Sequence, residues 1–173
     1  MKRLTKPAGR YNLVIEEAPV PEPARDEVRI KAVRSLISRG SEMGARYTRE
    51  HAVSSDIMGY SMAGTIDAVG DGVAHFARGD RVVALAPHAE YTVRPATVAG
   101  PDGQSSVVAL PDDVNWDCAP YYPLAAGSVS WVGAEEIGPS DTVVILGQGL
   151  VGSLLMQVAK AERARAHHHC RRT

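Results

Sequence analysis

Apolar positions in the first 112 residues recur with period two in short runs, each closed by proline or glycine. The stretch "YNLVIEEAPVPEP" predicts an apolar strand that ends in a rigid proline segment. In "DEVRIKAV", Val28, Ile30 and Ala32 alternate with Glu27, Arg29 and Lys31, as in a strand with one covered face and one wet face. "MAGTIDAVGDGV" predicts a strand running into a Gly-Asp-Gly turn, "RGDRVVALA" a strand leaving a turn, and "AEYTVRP" a further strand stopped by proline. Strands this short and numerous need closure to hide their edges, so the pattern predicts a compact barrel or sandwich.

The patterning changes at about Asn115. "NWDCAPYYPLAAGSVSWVGAEEIG" is alanine-rich and predicts helix in two pieces, because Pro120 and Pro123 forbid one uninterrupted helix. "PSDTVVIL" then predicts a buried strand, and Leu150, Val151, Leu154, Leu155, Val158 and Ala159 recur at helical spacing. Between that strand and helix stands Gly147-Gln148-Gly149-Leu150-Val151-Gly152, a complete G-x-G-x-x-G. Gly147 permits a tight turn, Gly149 lets the backbone approach a pyrophosphate, and Gly152 lets the helix pack closely on the strand. The helix N-terminus then offers unpaired N–H groups to the phosphates. The competing reading is a glycine-rich turn that binds nothing.

About 20 residues past such a turn, the dinucleotide fingerprint wants a second strand ending in an acid that binds a ribose hydroxyl. The chain offers "AHHHCRRT" there, which predicts neither a strand nor an acidic group. From Lys160 onward five basic residues stand against one acidic residue, so residues 167–173 are expected to form a solvated tail without regular structure. His167, His168, His169 and Cys170 are adjacent, but neighbours point in different directions and lack a second ligand pair, so no metal site is predicted there.

Composition narrows the function classes. The 173 residues are 45% hydrophobic, enough to bury the core of one compact domain or of a small domain plus a fragment. A formal net charge of −1 leaves no global field toward nucleic acid or an acidic membrane surface. The apolar runs are too short to span a bilayer, and "MKRLTKPAGRYNLVIEE" lacks the apolar stretch of a signal peptide, so the expected location is cytoplasmic. Two cysteines, Cys118 and Cys170, are too few for a disulfide framework.

Five ordered segments together carry a family resemblance: "VRIKAVRSLISRGSE", "MGYSMAGTIDAVGDGVAHFARGDRV", "HAEYTVRP", "ALPDDVNWDCAPYYPLAAGSVSW" and "DTVVILGQGLVG". In this order the chain resembles the medium-chain dehydrogenase/reductase family, the alcohol dehydrogenase-like enzymes with a GroES-like domain. The resemblance implies a mostly β GroES-like barrel domain over residues 1–118. It is followed over residues 119–166 by the first β-α unit of an incomplete Rossmann domain, which reads as a C-terminally truncated relative. Zinc members carry cysteine, Gly-His-Glu and a second cysteine where this chain has Ser38, Tyr60 with Ser61, and Ala125. Only "LAPH" stands where a four-cysteine lobe is expected. The chain is therefore similar to a zinc-independent branch, close in "SLISRGSE" and "MGYSMAG" to bacteriochlorophyllide-type dehydrogenases, and no zinc is expected.

On that resemblance, the chain would move hydride between NAD(P)(H) and a small carbonyl, alcohol or activated alkene, with NAD and NADP left open; because the nucleotide-binding domain reads as incomplete, little turnover and weak dinucleotide affinity are expected of these 173 residues alone. Ser38 and Tyr60 would be the catalytic hydrogen-bond donors that polarise the substrate oxygen. Their alternative roles are a turn cap for Ser38 and packing beneath the cleft for Tyr60. The cofactor-binding set is Arg39, on the pyrophosphate, with Gly147, Gly149, Leu150, Val151 and Gly152. Glu42 is expected to orient backbone or a neighbouring arginine, and His88 to be a satisfied structural histidine, with a place near the cleft as its alternative. A homo-oligomer is compatible with the family. The reading from a different class is a non-catalytic GroES-like remnant or interaction module whose orphan strand, Thr142 to Leu146, pairs with another chain.

Overall fold

The computed structural model describes residues 1–97 and 106–169, which form two compact units, Met1–Pro120 and Tyr121–Thr173. The first unit opens with an antiparallel hairpin of β1 (Lys2–Thr5) and β2 (Val14–Glu17). Its main sheet contains β3 (Glu27–Ser35), β4 (Met62–Val69), β5 (Arg81–Ala84), β6 (Tyr91–Pro95) and β7 (Val107–Ala109). They lie in the order β6-β3-β4-β5-β7, and every neighbouring pair is antiparallel.

The alternation read in "DEVRIKAV" sets this register. Val28 and Ile30 are fully buried and join Met62, Ile66, Val82, Ala84 and Val107 in one apolar cluster. Burial of each larger side chain contributes roughly 1.5–3 kcal/mol. On the other face Arg29 pairs with Asp67 and Glu22, both at 2.8 Å. Beyond β7, Arg81 donates to the carbonyls of Pro111, Asp112 and Val114, and its guanidinium lies 4.4 Å from the Trp116 ring centroid. That single side chain holds the segment leading out of the sheet.

One buried cation anchors the N-terminal hairpin. Lys6 is 1% exposed, and its Nζ donates to the carbonyl oxygens of Pro7, Gly9 and His51 at 3.0, 2.8 and 3.1 Å. Three carbonyl dipoles replace the water that the ammonium gives up on burial.

In the second unit α1 (Tyr122–Ala134) carries Pro123 in its first turn, where the missing N–H is harmless, and the residues before it form a short 3-10 turn, Ala119–Tyr121. Strand β8 (Thr142–Leu146) leads through the glycine turn into α2 (Leu150–Ala161), whose Met156 and Ala159 are buried. The chain end departs from expectation. Residues Arg165–His169 form β9, parallel to β8 with Thr142 opposite Arg165 and Leu146 opposite His169. The tail expected over 167–173 is thus strand as far as His169, and the first β-α unit extends to β-α-β; residues 170–173 lie outside the described residues. Side-chain patterning misses this strand because ladder pairing uses only backbone N–H and C=O, which a histidine run supplies as well as valine does. Arg163, at φ 64°, turns the chain out of α2 toward it.

Lys6→Met keeps the aliphatic stem and removes the three donated hydrogen bonds. Urea unfolding of this variant is expected to show a loss of about 1–3 kcal/mol, the usual cost of stranding buried acceptors. An unchanged midpoint would contradict the anchoring role.

Candidate functional site

The chemistry-bearing residues of the first unit gather at the ends of β3 and β4, where Ser35 stands opposite Met62 and the Leu36 N–H donates to the Ser61 carbonyl at 3.1 Å. Past this point the chain enters a π-helical turn, Arg39–Gly44. Ser38 is its N-cap, with Oγ accepting from the Ser41 N–H at 3.3 Å. Arg39, the first residue of the turn, is exposed. Tyr60 is half-buried in the loop before β4, and its neighbour Ser61 is buried with its hydroxyl donating to the Pro120 carbonyl. Arg46 donates to the carbonyls of Ile57 and Gly59, fastening the loop that leads to Tyr60 onto the segment that follows Ser38. Ser38, Arg39 and Tyr60 therefore belong to one neighbourhood of the unit.

At the centre of that neighbourhood lies a carboxylate. Glu42 is 0% exposed, and its Oε2 accepts from the Tyr47 hydroxyl at 2.9 Å and from His88 Nε2 at 3.0 Å. Burial opposes ionisation of Glu42, but the hydrogen bonds from His88 and Tyr47 outweigh it and hold the carboxyl below the usual carboxylate range. Burial and the same carboxylate push the Tyr47 phenol well above its ordinary value. The other imidazole nitrogen, Nδ1, lies 2.9 Å from the Ser35 hydroxyl. His88 is fixed through its backbone too: its N–H donates to the Met58 carbonyl at 2.7 Å, and its carbonyl accepts from the Leu4 N–H at 2.8 Å. Gly59, at φ +110°, makes room, since a Cβ there would fall 2.9 Å from the imidazole.

Glu42 thus serves a tyrosine and a histidine rather than an arginine. His88 is satisfied, as a structural histidine is, yet through groups that also carry proton chemistry. Sequence reasoning missed Ser35 and Tyr47 altogether.

The second unit holds the remaining residues. Gly147 has φ +97°, the left-handed conformation its turn requires. Gly149 is the N-cap of α2 and makes no side-chain cap, so the first N–H groups of the helix stay open to a ligand. A Cβ at Gly152 would stand 2.1 Å from the Gly147 carbonyl oxygen and 3.5 Å from the Ile145 side chain, so only glycine lets the helix approach the strand this closely. Leu150 is 41% exposed at the turn, and Val151 is half-buried behind it.

Because the folded-state pKa of Glu42 is depressed, its charge stabilises the fold above the ordinary carboxylate range, and that contribution is lost as pH falls through the folded value. Denaturation midpoints measured from pH 7 to pH 3 should fall on the acid side, and Glu42→Gln should flatten that limb while lowering stability at pH 7. Parallel acid limbs for the two proteins would refute the assignment.

The comparisons with known proteins agree with this layout. The model of the alcohol dehydrogenase GroES-like domain matches residues 25–116. An acryloyl-coenzyme A reductase of Sulfurisphaera tokodaii is 29% identical over 85 residues, covering 49% of this chain and 25% of the relative. A sorbitol dehydrogenase of Bacillus subtilis is 27% identical over 178 residues, covering 85% of this chain and 49% of the relative. Among solved structures, mycobacterial Rv1454c complexed with NADPH superposes with a TM-score of 0.78 at 26% identity, covering 97% of this chain and 52% of the other. The chain spans about half the length of this dehydrogenase and of this solved structure, and a quarter of the reductase. With its GroES-like β unit followed by a β-α-β unit, the chain belongs to the alcohol dehydrogenase family with a GroES-like domain.

Proposed function

We propose that the chain is part of an oxidoreductase that moves hydride between NAD(P)(H) and a small carbonyl, alcohol or activated alkene, with no catalytic zinc. The observation that carries this reading is the built glycine turn: a left-handed Gly147, an uncapped helix start at Gly149 and the close approach at Gly152. These features suit a pyrophosphate, whose oxygens accept from the open N–H groups. Membership of the alcohol dehydrogenase family and an NADPH complex in a structural relative support the cofactor class.

The donor set does not fit zinc. A catalytic zinc needs about three cysteine, histidine or carboxylate ligands. At the positions the family uses, Ser38 is engaged as a helix cap, Ser61 donates to a carbonyl, and Ala125 has no donor. Carbonyl polarisation then falls to hydrogen bonds, for which Tyr60 and Ser38 are the proposed donors and Arg39 the proposed phosphate contact. In this reading the first unit is catalytic and the second begins the nucleotide-binding domain.

A second reading has one observation in its favour. Val144 and Leu146 on β8 are 63% and 80% exposed, and Val129 and Trp131 on α1 are 58% and 52% exposed. An apolar surface of this kind fits a module that pairs with another chain.

Titration of the purified protein with NADPH and NADH, followed by nicotinamide fluorescence, separates these readings. The expected result is saturable binding of at least one of the two dinucleotides, weakened roughly tenfold or more, or about 1.4 kcal/mol, in Gly152→Val. Carbonyl or alkene reduction by protein that carries the cofactor should be insensitive to chelators. Absence of nucleotide binding together with a concentration-dependent dimer would favour the pairing module.

A further inference from the structure

Beyond the oxidoreductase reading, we propose that Ser35 is a base-activated nucleophile for short acyl esters, with His88 as its general base and Glu42 holding the imidazole. The hydroxyl of Ser35 lies 2.9 Å from His88 Nδ1, and His88 Nε2 lies 3.0 Å from the buried Glu42 carboxylate. An ionised carboxylate accepts only, so it selects the tautomer with the proton on Nε2. The free lone pair on Nδ1 must then accept the Ser35 proton. This is the order nucleophile, base, orienting acid that activates a serine hydroxyl, here with the two imidazole nitrogens exchanged relative to the usual arrangement.

Two further features separate this trio from an ordinary structural network. Ser35 is the last residue of β3 and is exposed, whereas its partners are buried, so the base is shielded and the nucleophile accessible. Ser35 and His88 also line an open cavity of about 310 Å³ whose apolar wall includes Leu4, Ile15 and Ala32. That volume and lining suit a short aliphatic acyl group. Lys2, Arg3 and Glu90 also line this cavity; Arg3 is paired with Glu16 at 2.8 Å, which leaves Lys2 as the cation for the oxyanion that develops on the attacked carbonyl.

In the acylation step, Ser35 Oγ forms a bond to the ester carbonyl carbon while its proton passes to His88 Nδ1. The resulting imidazolium is held against Glu42. Collapse of the tetrahedral oxyanion breaks the bond to the leaving oxygen, which either takes the proton from Nδ1 or departs as a stable anion while Nδ1 releases that proton to solvent, so that the imidazole is neutral again. Water then attacks acyl-Ser35 by the same route, releasing the acid and restoring the hydroxyl. No oxidant, reductant or nicotinamide takes part, so this proposal and the oxidoreductase reading stand or fall separately.

The test uses the full chain and p-nitrophenyl acetate, with p-nitrophenolate release followed by absorbance and the acetylated position found by peptide mass mapping. The expected result is acetyl on Ser35 and a release rate that falls about 100-fold in Ser35→Ala, the scale of lost general-base catalysis. Since Ser35 is exposed, this variant keeps the buried network. Equal rates in the two proteins, or acetyl only at other side chains, would overturn the proposal. A second variant tests the base without disturbing buried groups. In Ser35→Cys the thiol beside His88 should react with iodoacetamide at pH 6 at least about tenfold faster than exposed Cys118 in the same chain, because the imidazole draws off its proton. Equal alkylation of the two thiols at pH 6 would likewise overturn it.

Discussion

The buried charge of Glu42 is the constraint on which the first unit depends. Taking a carboxylate out of water costs several kcal/mol unless donors replace the lost hydration. Two of those donors lie further along the chain at very different separations: the Tyr47 hydroxyl five residues on, and His88 46 residues on. To bring them together, the π-helical turn must wind Glu42 inward and the β5–β6 connection must carry His88 over Met58. Met58, Tyr47 and Val53 form an apolar cluster beside the carboxylate. Removing either donor would leave a charge with no outlet, so the fold and the carboxylate hold each other in place.

The second unit solves a different problem by different means. Its candidate site is made of backbone: a left-handed glycine, an uncapped helix start and a contact that tolerates no Cβ. Such a site needs no long-range partner, because five residues of strand and one helical turn define it completely. Specificity for an anion then comes from the direction of N–H groups and not from any side chain.

This difference explains what could be read from the sequence. The period-two strands, the strand–turn–helix around Gly147 and the start of α2 at Leu150 are local patterns, and all are legible. Pro123 is legible as a break but not as the first turn of α1, since proline both ends and begins helices. Strand β9 was hidden because its side chains carry none of the information that pairs it with β8. The Glu42–His88 pair was hidden for the opposite reason: its chemistry is entirely in side chains, but nothing local links residue 42 to residue 88.

Position and partner give different answers about the two serines at the end of β3. Alignment of the family's ligand positions points to Ser38, whose oxygen accepts from a backbone N–H; that contact leaves its proton to donate but supplies no group to remove it. Three residues earlier, Ser35 has no family position to recommend it, but it faces the free nitrogen of an imidazole whose other nitrogen is fixed by a carboxylate. A hydroxyl becomes nucleophilic through the group that removes its proton. By that criterion Ser35 is the proposed nucleophile of this unit, while Ser38, which caps the turn that buries Glu42, keeps its proton for a hydrogen bond to a substrate oxygen.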